Sequence, residues 1–253
     1  MKRGSRKGAA VWAAVALIMT WACPAAASEF TVDPVSIHVS KAAPGALLTI
    51  QNRGDAPLRM QIETFAWDQR VDGTMALAPT NDVVVFPEIF TVAAHAARRV
   101  RAAVTAPPAA TERTYRIFLE ELPSLESIVQ PHAGVLTFRA RVGIPVFFAP
   151  LSPAFSPPGI QGAAVRAGAL HFDVVNTGNV HAFVKQVRVV GLNDAGKETF
   201  VRDVAGWYVL PFEPRSFDVT LPHDVCQSLA TLRIDASATQ SRTVAMDRNA
   251  CGR

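Results

Sequence analysis

The sequence predicts an all-β protein made of two β-sandwich domains. Short runs of alternating apolar and polar residues recur along the chain, and almost no long stretch shows the spacing of an amphipathic helix. Glycine, proline and asparagine lie between the runs, as at Asp72-Gly73. The length of 253 residues suits an export segment followed by two domains.

The alternating runs follow a similar order in the two halves. In the first half they span 30–39, 47–51, 58–67, 98–104, 113–122 and 135–148. Segment 170–178 of the second half resembles 47–54, because each is an alternating run that closes with an Asn-x-Gly turn. Six to eight short strands in about 120 residues are typical of an antiparallel sandwich.

A proline-rich segment separates the two halves. Pro150 and Pro153 follow the run that ends at Phe148. Because proline fixes φ and cannot donate to a ladder, we expect a stiff corner here. We therefore predict a first domain over 28–149 and a second domain over 150–253.

The first 27 residues have the pattern of a cleaved secretory signal. Four basic residues precede an apolar run over 9–23, and Ala25-Ala26-Ala27 offers a small-x-small cleavage site before Ser28. We predict a signal peptide over 1–27. A lipoprotein signal that ends at Cys23 and an uncleaved membrane anchor are the alternatives. No later stretch approaches the roughly 20 apolar residues that a membrane span needs.

The exported part of the chain has balanced charges. The full sequence contains 25 Lys and Arg and 21 Asp and Glu, and four of the basic residues lie in 1–27, which holds no acidic residue. Residues 28–253 therefore carry 21 of each sign. A nucleic-acid-binding domain would show a clustered basic excess, so we expect no nucleic-acid partner.

Two cysteines, Cys226 and Cys251, remain after Cys23 leaves with the signal. An even pair in an oxidising compartment favours a disulfide bond. The bond would close a loop of 25 residues and stabilise the fold by about 3–4 kcal/mol in the chain-entropy model.

The polar residues show no pattern typical of an enzyme. The six histidines are scattered without metal-binding spacing, and no nucleophile elbow, phosphate-binding loop or dinucleotide fingerprint occurs. Glu120 and Glu121 are adjacent, but neighbours in a strand point to opposite faces. We predict a protein without catalytic activity, metal or cofactor.

The run over 135–148 offers a candidate binding strand. Four apolar residues alternate there with polar ones: Leu136, Phe138, Ala140 and Val142. A period of two predicts a long strand with one apolar face. That face either points into its own sandwich or is offered to a partner.

Seven short motifs resemble those of the periplasmic fimbrial, or pilus, chaperones. They are 30–35, Asn52-Arg53-Gly54, Gln61 with Trp67, 86–90, Tyr115-Arg116-Ile117, Glu121-Leu122-Pro123 and 146–150. The resemblance covers nearly all of residues 28–253 and is stronger in the first domain than in the second.

The resemblance implies two immunoglobulin-like β-sandwich domains in an L or boomerang arrangement with a cleft between them. Such chaperones bind subunits that lack their last strand, and they pair a strand of their own with the gap. On this comparison Leu136, Phe138, Ala140 and Val142 belong to the donor strand. The implied partners are fimbrial subunits and an outer-membrane usher. The implied location is the periplasm, without stable membrane insertion.

The resemblance also suggests an anchor for the C-terminal carboxylate of the subunit. The best-known branch of the family uses an arginine and a lysine, but the matching positions here are Ser36 and Pro145. Arg116 is the basic candidate, in a Tyr-Arg pair that resembles the archaic branch, and its planar fork of donors suits a carboxylate. An internal salt bridge from Arg116 to Glu112 or Glu120 is the alternative.

Two other kinds of protein remain open. One is a secreted fimbrial subunit or adhesin, although subunits usually have a single incomplete domain. The other is a sandwich that binds carbohydrate or metal. Trp67, Trp207, Tyr115 and Tyr208 are few aromatic residues for a sugar-stacking surface, and the scarcity of methionine weakens the case for a copper carrier.

Overall fold

The computed structural model describes residues 29–123 and 138–252. The predicted signal peptide, 1–27, and Leu136 of the predicted donor strand lie outside the described residues. No helix within the described ranges is long and apolar enough to cross a membrane.

The described chain is built almost entirely of strands. They are β1 (Phe30–Asp33), β2 (Ile37–Val39), β3 (Gly45–Asn52), β4 (Leu58–Gln69), β5 (Met75–Pro79), β6 (Val83–Phe86), β7 (Ile89–Val92), β8 (Ala97–Val104), β9 (Arg113–Glu121), β10 (Arg141–Phe148), β11 (Pro158–Arg166), β12 (Ala169–Asn176), β13 (Ala182–Asn193), β14 (Glu198–Val209), β15 (Pro214–Thr220), β16 (Leu229–Ser237) and β17 (Gln240–Ala245). A short helix α1 (His223–Ser228) precedes β16, and a 3-10 turn (Arg248–Cys251) follows β17.

Strands β1 to β10 form a first sandwich. One sheet has the order β1-β3-β8-β6, and the other has the order β2-β10-β9-β4-β5 with β7 also paired to β4. Strand β2 runs parallel to β10, whereas the other pairs are antiparallel. Both sheets contribute apolar side chains to one core, in which Leu48, Ile50 and Val100 are 0% exposed.

Strands β11 to β17 form a second sandwich from two antiparallel sheets, β11-β12-β15 and β14-β13-β16-β17. Leu170, Val187 and Leu232 lie at 0% exposure in its core. Cys226 of α1 is bonded there to Cys251, with an S–S distance of 2.06 Å. The two sandwiches confirm the predicted all-β, two-domain fold class. The exact domain limits, 28–149 and 150–253, stay predictions.

The two halves share an asparagine-centred turn. Asn52 ends β3 and Asn176 ends β12, and both are buried. Each side-chain oxygen accepts a hydrogen bond from a glycine N–H two residues on, at 3.0 Å from Gly54 and 2.9 Å from Gly178. Their amide nitrogens donate to backbone oxygens of Ala56, Val92, Ala93, Val180 and Val209. Both asparagines are thus buried polar residues whose side chains are fully hydrogen-bonded. Their hydrogen bonds fix the turns that follow β3 and β12.

Two predicted strands differ in extent from the structure. The run 30–39 is divided into β1 and β2, because Pro34 has a fixed φ and no N–H. The prediction of strand at 138–140 was wrong, since β10 begins at Arg141. Its partner β9 ends at Glu121 and Pro123 follows soon after, so the regular ladder does not extend further.

Candidate functional site

The candidate site lies on the face of β4, β9 and β10 that points away from the first core. Residues opposite one another across these strands form rungs: Phe65, Arg116 and Pro145, then Glu63, Phe118 and Gly143. Thr114, opposite Phe147, donates from Oγ1 to the Trp67 carbonyl oxygen at 2.5 Å. Neighbouring residues of a strand alternate between faces. Tyr115 and Ile117 thus enter the core, while Arg116 points to the opposite side among aromatic residues.

Arg116 is enclosed by aromatic rings from both domains. Its Cζ atom lies 4.0 Å from the ring centroid of Trp67 on β4. The rings of Trp207 and Tyr208 on β14 are 5.8 Å and 5.9 Å away. Only 4% of the Arg116 surface is exposed. This burial lowers the pKa of Arg116 from its usual value, because it removes water from the charged guanidinium.

The guanidinium of Arg116 is only partly satisfied. Nη1 donates a long hydrogen bond of 3.5 Å to the Gly143 carbonyl oxygen. Nε and Nη2 are buried and have no hydrogen-bond partner. These two nitrogens form the edge of the guanidinium that can hold both oxygens of a carboxylate. A buried cation with such an edge is costly until a ligand completes it.

Neither carboxylate considered as an internal partner binds Arg116. Glu112 accepts a hydrogen bond of 2.8 Å from Nδ1 of His181. Glu120 lies 3.5 Å from Nε of Arg141. Within residues 29–123 and 138–252, Arg116 forms no ion pair.

The two positions that lack the expected cations lie near this site. Ser36 Oγ is 3.0 Å from Nε2 of His38 and supplies no charge. Pro145 lies directly opposite Arg116 in the register of β10 and β9. The cation of the site is therefore on the neighbouring strand, at the same level of the sheet as Pro145.

The predicted donor residues occupy different environments. Val142 is half-buried and packs on the first core. Ala140 is half-buried, and its carbonyl oxygen accepts from the Glu121 N–H at 3.0 Å. Phe138 precedes β10 and is 69% exposed. Among these residues, Phe138 thus exposes a large apolar side chain to solvent, whereas Val142 packs its side chain on the core of its own domain.

One edge of β10 is open. Strand β9 pairs with β10 from Arg141 to Phe148, but β2 pairs on the other side only from Val146 to Phe148. In the part of the chain that the structure describes, no strand covers the second edge from Arg141 to Pro145. Such an edge presents backbone N–H and C=O groups with which another strand can pair.

Buried contacts between the domains place β14 beside Arg116. His181, which precedes β13, donates to Glu112 and stacks on Phe147 with ring centroids 3.6 Å apart. Gln69 Nε2 donates to the Tyr208 carbonyl oxygen at 2.8 Å. These contacts hold β13 and β14 of the second domain against the outer face of the first domain.

The aromatic enclosure of Arg116 does not follow from any local pattern in the sequence. Trp67, Trp207 and Tyr208 lie far from Arg116 in the sequence and come from two domains. The sequence offers one hint, because Trp67 and Trp207 are the only tryptophans in 28–253. Their rarity does not indicate that both lie beside the same arginine.

Comparison with known families gives one match. Residues 29–153 match the family model described as pili and flagellar-assembly chaperone, PapD N-terminal domain. This range contains all strands from β1 to β10. The comparison with curated proteins gives no match.

Several solved structures share the fold of both domains. One is the CsuC–CsuE chaperone–tip adhesion subunit complex of archaic pili from Acinetobacter baumannii, with 18% identity, a TM-score of 0.54 and coverage of 76% of this chain and 91% of that chain. Another is the CupB2 chaperone of Pseudomonas aeruginosa, with 17% identity, a TM-score of 0.53 and coverage of 86% and 100%.

A third similar structure is the SafA pilin in complex with the SafB chaperone from Salmonella enterica. The identity is 15%, the TM-score is 0.54, and the match covers 87% of this chain and 98% of that chain. The family model spans the first sandwich, and the structures share the overall fold. The first domain of the chain, residues 29–153, belongs to the family of the pili and flagellar-assembly chaperones.

Proposed function

We propose that this chain is a periplasmic chaperone that stabilises incomplete fimbrial subunits by donor-strand complementation and delivers them to an outer-membrane usher. It acts without catalysis or cofactor, and a signal peptide over 1–27 exports it. The observation that carries this proposal is Arg116, a buried cation whose Nε and Nη2 have no partner. It lies on β9 directly opposite Pro145, the last residue of the open edge of β10.

A C-terminal carboxylate suits this position for a geometric reason. A strand that pairs with the open edge of β10 and reaches Arg116 meets the second domain there. It therefore has to end, and its terminal carboxylate takes the Nε–Nη2 edge. Since β10 runs from Arg141 toward the cleft at Phe148, the last strand of the subunit runs parallel to it.

The outer end of the donor segment supplies apolar side chains. Phe138 is exposed in the free chaperone and fills the groove of the subunit, while Leu136 would continue the same stripe. Burial of each large side chain contributes about 1.5–3 kcal/mol before the costs of association. The carboxylate fixes the register, because a slip of one residue turns the stripe to the other side.

Similar structures support this class of partner. One is described as a chaperone–tip adhesion subunit pre-assembly complex, and another as a pilin in complex with its chaperone. By analogy, the partner of this chain is a subunit that lacks a strand.

Co-expression in the periplasm tests the proposed function. The chain is produced with residues 1–27 and together with a candidate pilus subunit from the same genome. We expect a stable complex and a subunit that is degraded or aggregated when the chaperone is left out. Equal recovery of soluble, folded subunit with and without the chaperone would contradict the proposal.

A further inference from the structure

The guanidinium of Arg116 is shielded from solvent and also lacks hydrogen-bond partners. Its Nε and Nη2 have no hydrogen-bond partner, yet both are out of contact with solvent. A carboxylate cannot reach these nitrogens unless a side chain that covers them moves. The free structure therefore shows a closed form of the anchor.

The rings around Arg116 are held to different degrees. Trp67 is 2% exposed and packs with Phe147 and Tyr208 in a buried cluster between the domains. Tyr208 contacts five other aromatic rings, and its backbone oxygen accepts from Gln69. Trp207 is 41% exposed, and within the described residues its one ring–ring contact is with Tyr208, at 5.4 Å. Trp207 is thus the ring that moves at the lowest cost.

We propose that Trp207 is a gate over Arg116. In the free chaperone its indole closes access to the Nε–Nη2 edge. When a subunit binds, the indole moves aside and packs on the last side chain of the incoming strand. This inference takes the identity of the ligand, a C-terminal carboxylate, from the proposed function. It adds that the second domain controls entry to an anchor on the first.

The covering role can be tested without any ligand. Phenylglyoxal modifies accessible arginines, and mass spectrometry of peptides measures the rate at Arg116. We expect slow modification of Arg116 in the wild type and modification several-fold faster in Trp207→Ala. Phe183→Ala is the matched control, since Phe183 is 59% exposed and its ring contacts Tyr208 at 4.9 Å.

The control variant should leave Arg116 as protected as in the wild type. Melting curves of both variants confirm that the second domain stays folded, and Trp207→Phe serves as a milder variant if Trp207→Ala is unstable. Unchanged protection of Arg116 in a folded Trp207→Ala protein would overturn the gate.

A ligand experiment tests the movement. In residues 28–253 the indole N–H signals of a ¹⁵N spectrum belong to Trp67 and Trp207, and Trp207→Phe assigns them. The probe is a synthetic peptide of alternating valine and threonine with a free C-terminal carboxylate, compared at millimolar concentration with the same peptide as an amide. We expect the acid, and not the amide, to shift the Trp207 signal, and Arg116→Ala to abolish the shift.

The outcomes separate the two proposals. Carboxylate-dependent binding that requires Arg116 but leaves the Trp207 signal unmoved overturns the gate and retains the anchor. No difference between the acid and the amide overturns the anchor at Arg116 and, with it, the gating role.

Discussion

The guanidinium of Arg116 lies over the indole of Trp67, with Cζ 4.0 Å from the ring centroid. A desolvated contact of this kind stabilises a cation by about 2 kcal/mol or more. The ring replaces part of the hydration that burial removes. A cation–π contact occupies no N–H donor, so it holds the cation in place and leaves Nε and Nη2 without partners.

Replacement of Arg116 should break the complex with the subunit. Loss of one partner of a desolvated pair costs about 2–5 kcal/mol, so we expect Arg116→Ala to abolish stable co-purification of the subunit. Arg116→Lys should restore it only partly, because an ammonium lacks the fork and fits poorly against Trp67. Recovery of the complex at each variant is the measurement.

The matched control for Arg116 is Arg188→Ala. Arg188 belongs to the second domain, is about half exposed and faces Asp203 at 3.7 Å. It should leave the yield of complex unchanged. Wild-type yield with a well-folded Arg116→Ala protein would place the anchor on another residue.

The disulfide should make a large contribution to the stability of the second domain. Cys226 and Cys251 are 25 residues apart in the sequence, and a loop of this size corresponds to about 3–4 kcal/mol in the chain-entropy model. We expect no titratable thiol in a native protein of residues 28–253. The double variant Cys226→Ala, Cys251→Ala should lose that amount in urea unfolding, and two free thiols in the wild type would exclude the bond.

Tyr115 should make the stability of the first domain depend on alkaline pH. Burial raises the pKa of Tyr115 from 10.0 to about 12, and its hydroxyl also donates to Oδ2 of Asp82 at 3.0 Å. Since the folded state favours the neutral phenol, this contribution is complete below pH 10 and is lost as the pH rises through about 12.

The matched variant for this effect is Tyr115→Phe, which cannot ionise. The stability advantage of the wild type over the variant, measured by urea unfolding, should shrink above pH 10 and disappear near pH 12. An advantage that stays constant across this range would show that Tyr115 has an ordinary pKa in the folded protein.

Local patterns predicted the strands that pack on a core better than the strands at an edge. The run 113–122 corresponds to β9, because Tyr115, Ile117 and Leu119 alternate into the core. Strands such as β5 and β17 were not predicted, since each lies at a sheet edge and buries few apolar residues. Edge strands follow from pairing with a neighbour, which alternation does not reveal.

The same distinction applies to the candidate site. Arg116 could be selected from the sequence because its neighbour Tyr115 and its strand fit a known motif. Its burial could not be predicted, because it depends on the docking of β14 from the second domain through contacts such as His181 on Glu112. Contacts between residues that are far apart in the chain leave no periodic pattern in the local sequence.

Phe138 should be required by the partner and not by the chaperone itself. It is 69% exposed and precedes the first residue of β10, so it contributes little to the fold of the free protein. Phe138→Glu should therefore leave the melting temperature of the chaperone nearly unchanged. In the complex, the side-chain carboxylate of the new glutamate would be desolvated in the apolar groove of the subunit. Burial of even a neutral polar group without a partner costs roughly 2–7 kcal/mol, and burial of a charge costs more. We expect the subunit to be degraded or to aggregate.

A matched substitution separates this effect from a general effect of added charge. Phe212 of the second domain is 63% exposed, and Phe212→Glu should keep both the melting temperature and the yield of subunit complex. If Phe138→Glu instead unfolds the chaperone, Phe138 is part of its core and the donor stripe has been assigned to the wrong face. If the variant stays folded and still protects the subunit, the apolar contact with the groove lies elsewhere on β10.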